Sequence, residues 1–146
     1  MIKLPNKTLK IIVLTTVLLL YTVSSSHSQC YWTIDATFWG DAKGSAIVLI
    51  HCSDGTGMVS VSSNHGSYDN IPIDASGNEK SVTMNGSGIY GRVSYSGVAK
   101  GKKDGDQYSG TWNVKLLRET DGKTRTYSGK WQGTGNYSDI CKNTSK

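Results

Sequence analysis

Four dipeptides constrain this chain more than any other feature: Asp54-Gly55, Asn85-Gly86, Asp104-Gly105 and Asp121-Gly122. Each stands between stretches in which apolar and polar residues alternate. Both members of such a pair tolerate positive φ, which a two-residue hairpin turn requires. After residue 29 no stretch keeps an apolar period of 3.6 residues, and the seventeen glycines of the chain disfavour helices further. The pattern predicts an all-β protein.

Centring each turn on its dipeptide predicts a register. Asp121-Gly122 sets Trp112 against Trp131, Val114 against Gly129, Leu116 against Tyr127 and Arg118 against Arg125. Asp104-Gly105 sets Trp112 against Gly97 and Val114 against Tyr95. Asn85-Gly86 sets Val82 against Ile89, and Asp54-Gly55 sets Ile50 against Val59. A five-residue loop from Trp39 to Lys43 sets Ile34 against Val48, Trp32 against Ile50 and Cys30 against Cys52. In every ribbon one side is apolar and the other mainly polar, a separation that a slip of one residue would destroy. The thrice-repeated Tyr-Ser-Gly, at Tyr95, Tyr108 and Tyr127, is then a strand fragment: tyrosine inward, serine outward, glycine inward beside a neighbouring ring.

The expected strands run over residues 30–39, 45–53, 56–63, 68–73, 80–85, 87–101, 107–118 and 123–135. Pro72 makes the fourth the weakest, because proline cannot donate to a ladder. Every connection is short, so the chain reads as an up-and-down antiparallel meander of about eight strands. Closing into a small barrel removes its edges. A two-sheet β-sandwich is the alternative.

Residues 1–28 read as a signal peptide. Lys3, Lys7 and Lys10 precede the uncharged run from Ile11 to Val23, and small residues at Ser26 and Ser28 suit cleavage. The run is too short for a stable membrane span. Residues 29–146 then form one domain, secreted or periplasmic. Losing the three leader lysines takes the net charge from +5 to +2, too little to imply nucleic acid as a partner. Export makes a disulfide reasonable. Cys30–Cys52 follows the hairpin register; Cys30–Cys141 would instead clip the chain ends together.

A membrane barrel would turn the apolar face toward lipid. The matching of glycines to tryptophans suits an interior instead. His51, Ser53 and Asp54 are neighbours on a strand end, which does not build a nucleophile relayed through a base. Asp54, Asp104 and Asp121 are accounted for by turns. The residues present call for no metal and no cofactor, and the chain is expected not to be an enzyme.

The candidate binding residues share the inward parity: Tyr95, Trp112, Tyr127 and Trp131, with Arg118 and Arg125 at the rim. Eight-stranded barrels are near the size at which side chains either fill the interior or leave room for one small ligand. Two opposed arginines there would suit an acidic head group. Trp39 has outward parity beside a loop and is a candidate surface contact. The expected function is an exported binding module for a small apolar or amphipathic ligand. The alternatives are a protein-interaction factor of inhibitor or immunity type, whose partner is a protein, and a glycan-binding module using Trp39.

Overall fold

A computed structural model describes residues 31–136. The expected leader, Cys30 and Cys141 lie outside the described residues. Eight strands follow one another: β1 (Tyr31–Gly40), β2 (Gly44–His51), β3 (Thr56–Ser63), β4 (Gly66–Asn78), β5 (Ser81–Tyr90), β6 (Val93–Asp104), β7 (Gln107–Arg118) and β8 (Thr124–Asn136). Each pairs antiparallel with the next, and β8 returns to pair with β1 from Thr33↔Asn136 to Gly40↔Gly129, closing the barrel. The sandwich alternative is excluded.

The β1–β2 register is the expected one, with Trp32↔Ile50 and Ile34↔Val48. Three other hairpins are displaced by two residues. Trp112 pairs with Gly129 rather than Trp131, and Trp131 pairs with Gly110. Ala99, not Gly97, faces Trp112, while Gly97 faces Val114. Ile50 faces Gly57, and Val48 faces Val59. A displacement of two leaves every side chain on its expected face.

The displacement has a local cause. Asp54 and Gly55 end the loop 52–55, and Asp121 and Gly122 end the four residues that separate Arg118 from Lys123, whose carbonyl accepts from Arg118 N–H at 3.0 Å. Gly55 N–H donates to the His51 carbonyl at 2.9 Å, and Gly122 N–H to that of Arg118 at 2.9 Å. The aspartate in each case then accepts from the residue after its glycine, Thr56 N–H at 2.9 Å and Lys123 N–H at 3.1 Å. Both glycines have positive φ, +75° and +66°, the left-handed conformation that closes such loops. Between β6 and β7 the turn falls on Gly105 and Asp106, one residue later than expected.

Asn85-Gly86 is not a turn. β5 runs through it, with Asn85↔Val98 and Gly86↔Gly97, and the chain reverses at Gly91 and Arg92. Strand continuity here places Gly86 and Gly88 beside the Tyr95 ring, where a β-carbon at Gly88 would come within 2.9 Å of its hydroxyl. Packing of that ring outweighs the local turn preference. β4 is also longer than expected, and Pro72 lies within it opposite Met58. A bulge sets Asp69 and Asn70 against Ser60, and Asn70 takes a φ of 55°.

The core occupies one half of the barrel. Trp32, Ile34, Val48, Ile50, Val82, Met84, Tyr108 and Trp131 are buried. Trp32 and Tyr108 stack at a tilt, ring centres 5.8 Å apart. The Trp131 indole N–H donates to the Lys100 carbonyl at 3.1 Å. The ring lies over Gly101, where a β-carbon would collide with it. These residues lie toward the end bounded by the loops 52–55, 79–80 and 105–106. That end is the floor.

Candidate ligand-binding mouth of the barrel

The opposite end, bounded by residues 41–43, 64–65, 91–92 and 119–123, is the mouth. Strand alternation turns Phe38, Val61, Tyr95, Val114, Leu116 and Tyr127 inward here, in register with the core residues below them. All of them are only half-buried. At this end of the barrel the inward side chains therefore still meet solvent.

Trp112 marks the boundary between the two halves. Its ring meets Phe38 edge to face at 5.7 Å, and its indole N–H donates to the Lys130 carbonyl at 3.1 Å. Gly129 leaves the space it fills: a β-carbon there would stand 2.7 Å from Nε1. Trp112 is thus held by the wall on one side and is half-buried.

His65, in the turn between β3 and β4, reaches Tyr127 on β8, with ring centres 5.5 Å apart. β2 and β1 stand between those strands in the wall, so this contact leans over the opening. The mouth therefore has aliphatic and aromatic walls, with polar tips at Tyr95, Tyr127 and His65.

The two arginines behave differently from expectation. Arg125 pairs with Leu116 and Arg118 with Val93, so they are not opposite each other. Arg118 reaches Asp121 of its own loop at 3.4 Å, and its charge is met there. Arg125 is exposed on the inward parity at the rim, and no carboxylate lies within ion-pairing distance of it among the described residues. Of the expected ligand-binding residues, Tyr95, Trp112 and Tyr127 line the mouth, and Arg125 stands at its edge. Trp131 lies in the core and is 4 % exposed. Phe38 and His65 join the site without having been singled out. The parity of Trp32 and Ile34 points to Phe38, whereas nothing local indicates that His65 crosses the opening.

Outside the barrel, Trp39 is 42 % exposed and lies beside Lys130 in the ladder. At the floor end, Ser53 Oγ is 2.6 Å from His51 Nδ1, and Asp54 Oδ1 is 3.6 Å from the same nitrogen. A serine relay needs hydroxyl and carboxylate on opposite ring nitrogens, so this cluster does not form one. Asp54 belongs to the turn instead. The hydroxyl of Thr56, at 2.7 Å, and its backbone N–H hold the Asp54 carboxyl below the usual carboxylate range.

Among the described residues the fold is a closed eight-stranded meander barrel with its buried core gathered toward one end. No family model, curated protein or solved structure matches the chain.

Proposed function

We propose that this protein is an exported, non-enzymatic binding module that holds a small amphipathic ligand in the open half of its barrel. One observation carries the reading. The inward apolar side chains of the mouth half remain partly solvent-exposed above a sealed floor. Exposed concave apolar surface with a few polar groups at its edge is the usual form of a small-molecule site. The apolar part of the ligand lies against Phe38, Trp112, Val114 and Leu116. Its polar head meets Tyr127, His65 and Arg125.

Export follows from the leader-like segment 1–28, with residues 29–146 as the mature domain in the periplasm or outside the cell. A disulfide between Cys30 and Cys52 accords with the β1–β2 register, in which Tyr31↔His51 is the adjoining pair. A water-facing wall accords with the exposed Lys100, Lys102, Lys115 and Lys130 on the outside of β6–β8. A lysine at the midplane of a lipid-facing wall costs about 2–4 kcal/mol.

Incubation of the purified protein with lipid extracts, followed by native mass spectrometry, tests the reading. A bound species is expected, together with a change in tryptophan emission from Trp112. No bound species and unchanged emission would remove the reading and favour a protein partner at the surface. A second reading, glycan binding, rests on exposed Trp39 beside Lys130; it requires Trp39→Ala to abolish carbohydrate retention with the fold intact.

A further inference from the structure

Charge is divided between the two sides of the barrel. Residues 44–78, which build β2, β3 and β4, contain no lysine or arginine. The outward positions of β6, β7 and β8 carry Lys100, Lys102, Lys115 and Lys130, all exposed. They carry one acid, Asp104, at the very end of β6. None of the four lysines enters an ion pair among the described residues. Asp41, which reaches β8 from the neighbouring loop, is engaged elsewhere: its Oδ2 accepts from Ser128 N–H at 2.9 Å and from Ser128 Oγ at 3.1 Å. The face is therefore of a single sign, a field that favours an anionic partner.

The ladder registers line these charges up. Lys100 pairs with Thr111, Thr111 with Lys130, and Lys130 with Trp39, so one rung crosses β6, β7, β8 and β1. All four positions have outward parity. Neighbouring strands lie about 4.8 Å apart, which sets Lys100 and Lys130 about 10 Å from each other, with Trp39 about 5 Å beyond Lys130. The next rung toward the floor holds Lys102, Ser109, Gln132 and Thr37. Two ammonium groups thus flank a threonine, an exposed indole closes one end, and hydroxyl and amide groups run alongside.

The residues between the lysines select among polyanions. Single-stranded nucleic acid is held on successive aromatic platforms, and these two rungs have one ring, at their edge. An anionic membrane surface is held by apolar side chains set among the basic ones, and the positions between Lys100, Lys102 and Lys130 are threonine, serine and glutamine. Short hydroxyl and amide groups suit sugar hydroxyls, and an indole face suits the C–H face of a sugar ring. The separation of Lys100 from Lys130 matches the length of a disaccharide.

We propose that the outer face of β6–β8 binds a linear acidic polysaccharide that bears a carboxylate or sulfate on alternate sugars. The chain lies across the strands along the Lys100–Thr111–Lys130 rung. Its anionic groups meet the two lysines, Thr111 and Gln132 meet its hydroxyls, and one sugar stacks on Trp39. Lys102 adds a third charge from the adjacent rung. The proposal deepens the glycan reading of Trp39 by naming the class of glycan, and it does not depend on a ligand in the mouth.

The test titrates the purified protein with hyaluronan oligosaccharides, which carry one carboxylate per disaccharide, and follows amide NMR at about 0.15 M salt. Saturable shifts at Lys100, Thr111 and Lys130 are expected. Methyl esterification of the oligosaccharide should weaken binding about tenfold. Replacing Lys100 and Lys130 together by glutamine should do the same and flatten the salt dependence, because fewer counterions are released. Lys123→Gln, at a lysine 4.0 Å from Asp121, should change neither. If the double variant does not fold, the methyl ester decides. Undiminished binding of the ester would leave the glycan reading of Trp39 standing and overturn the acidic class. Absence of shifts at millimolar oligosaccharide, or shifts confined to Tyr127 and His65, would overturn the proposal outright. So would tighter binding, at equal charge concentration, to phosphatidylglycerol vesicles or to oligothymidylate.

Discussion

The hydroxyl of Tyr108, on β7, donates to the backbone carbonyl of Glu79, 2.8 Å away in the turn between β4 and β5. The ring is 0 % exposed, so one side chain both fills the floor and fastens the loop that covers it. Tyr108→Phe keeps the ring and removes the bond, at an expected cost of about 1 kcal/mol. For a domain of this size Tm should fall by roughly 4–8 °C. Tyr108→Ala should cost about 3–5 kcal/mol through the cavity it leaves. Urea and thermal unfolding measure both, and a Phe variant as stable as the parent would refute the fastening role.

Gly101 should not tolerate a side chain. A β-carbon there overlaps the Trp131 indole, which its bond to Lys100 holds in place. Gly101→Ala is expected to destabilise by about 1–3 kcal/mol, the range for overpacking a filled core, and to alter the near-ultraviolet dichroism of the tryptophans. An unchanged spectrum would mean that Trp131 moves aside freely.

The two rim arginines should separate in ligand assays. Arg125 meets no carboxylate among the described residues, whereas Arg118 is engaged by Asp121 at 3.4 Å. Arg125→Gln should weaken binding of long-chain carboxylates about tenfold, corresponding to a charged hydrogen bond of about 1.5 kcal/mol. Neutral analogues should be spared, and Arg118→Gln should have little effect on either. Calorimetric titration of the three proteins with a carboxylate and its matching alcohol decides the matter; equal losses in both variants would disprove the assignment.

Acid should loosen the β2–β3 hairpin in a defined direction. The Thr56 hydroxyl and then its N–H stabilise the charged Asp54 carboxylate, so its folded pKa lies below its unfolded value. The stabilisation is complete above the unfolded value and disappears as pH falls through the folded one. An NMR titration should place the Asp54 midpoint below that of the same residue in an unstructured peptide. Asp54→Asn keeps an acceptor for Thr56 and should remove this component of the acid dependence.

Tyr31↔His51 is the last described pair of the β1–β2 ladder at the floor end. Cys52 follows His51 and packs against the core, and the pairing expected from the sequence makes Cys30 its partner. Non-reducing digestion of the protein isolated under oxidising conditions should yield a Cys30–Cys52 cross-linked peptide. Reduction should cost about 2–4 kcal/mol. Recovery of a Cys30–Cys141 peptide instead would mean that the chain ends are clipped together.

Parity proved more legible than register. An Asp-Gly pair fits both the centre of a two-residue turn and the close of a four-residue loop, and the two differ by two rungs. Trp112 therefore appears on the correct face but opposite the wrong partner, Gly129 in place of Trp131. The five-residue loop at 39–43 allows no such ambiguity, and Trp32↔Ile50 follows. Asn85-Gly86 misled because its strand is dictated from outside, by the ring of Tyr95 across the ladder. In the site, Tyr95, Trp112 and Tyr127 were readable from alternation. The contact of His65 with Tyr127 was not, because it joins strands separated by two others in the wall.

The segregation of buried bulk at one end leaves the two ends answerable to different selective demands. Replacements around Trp32, Tyr108 and Trp131 are judged by whether the chain still folds, while those around Val61, Val114 and Leu116 fall where burial is only partial. If the proposed binding role holds, a scaffold built this way can exchange one cargo for another through a handful of upper-tier changes, without renegotiating the foundations on which it stands.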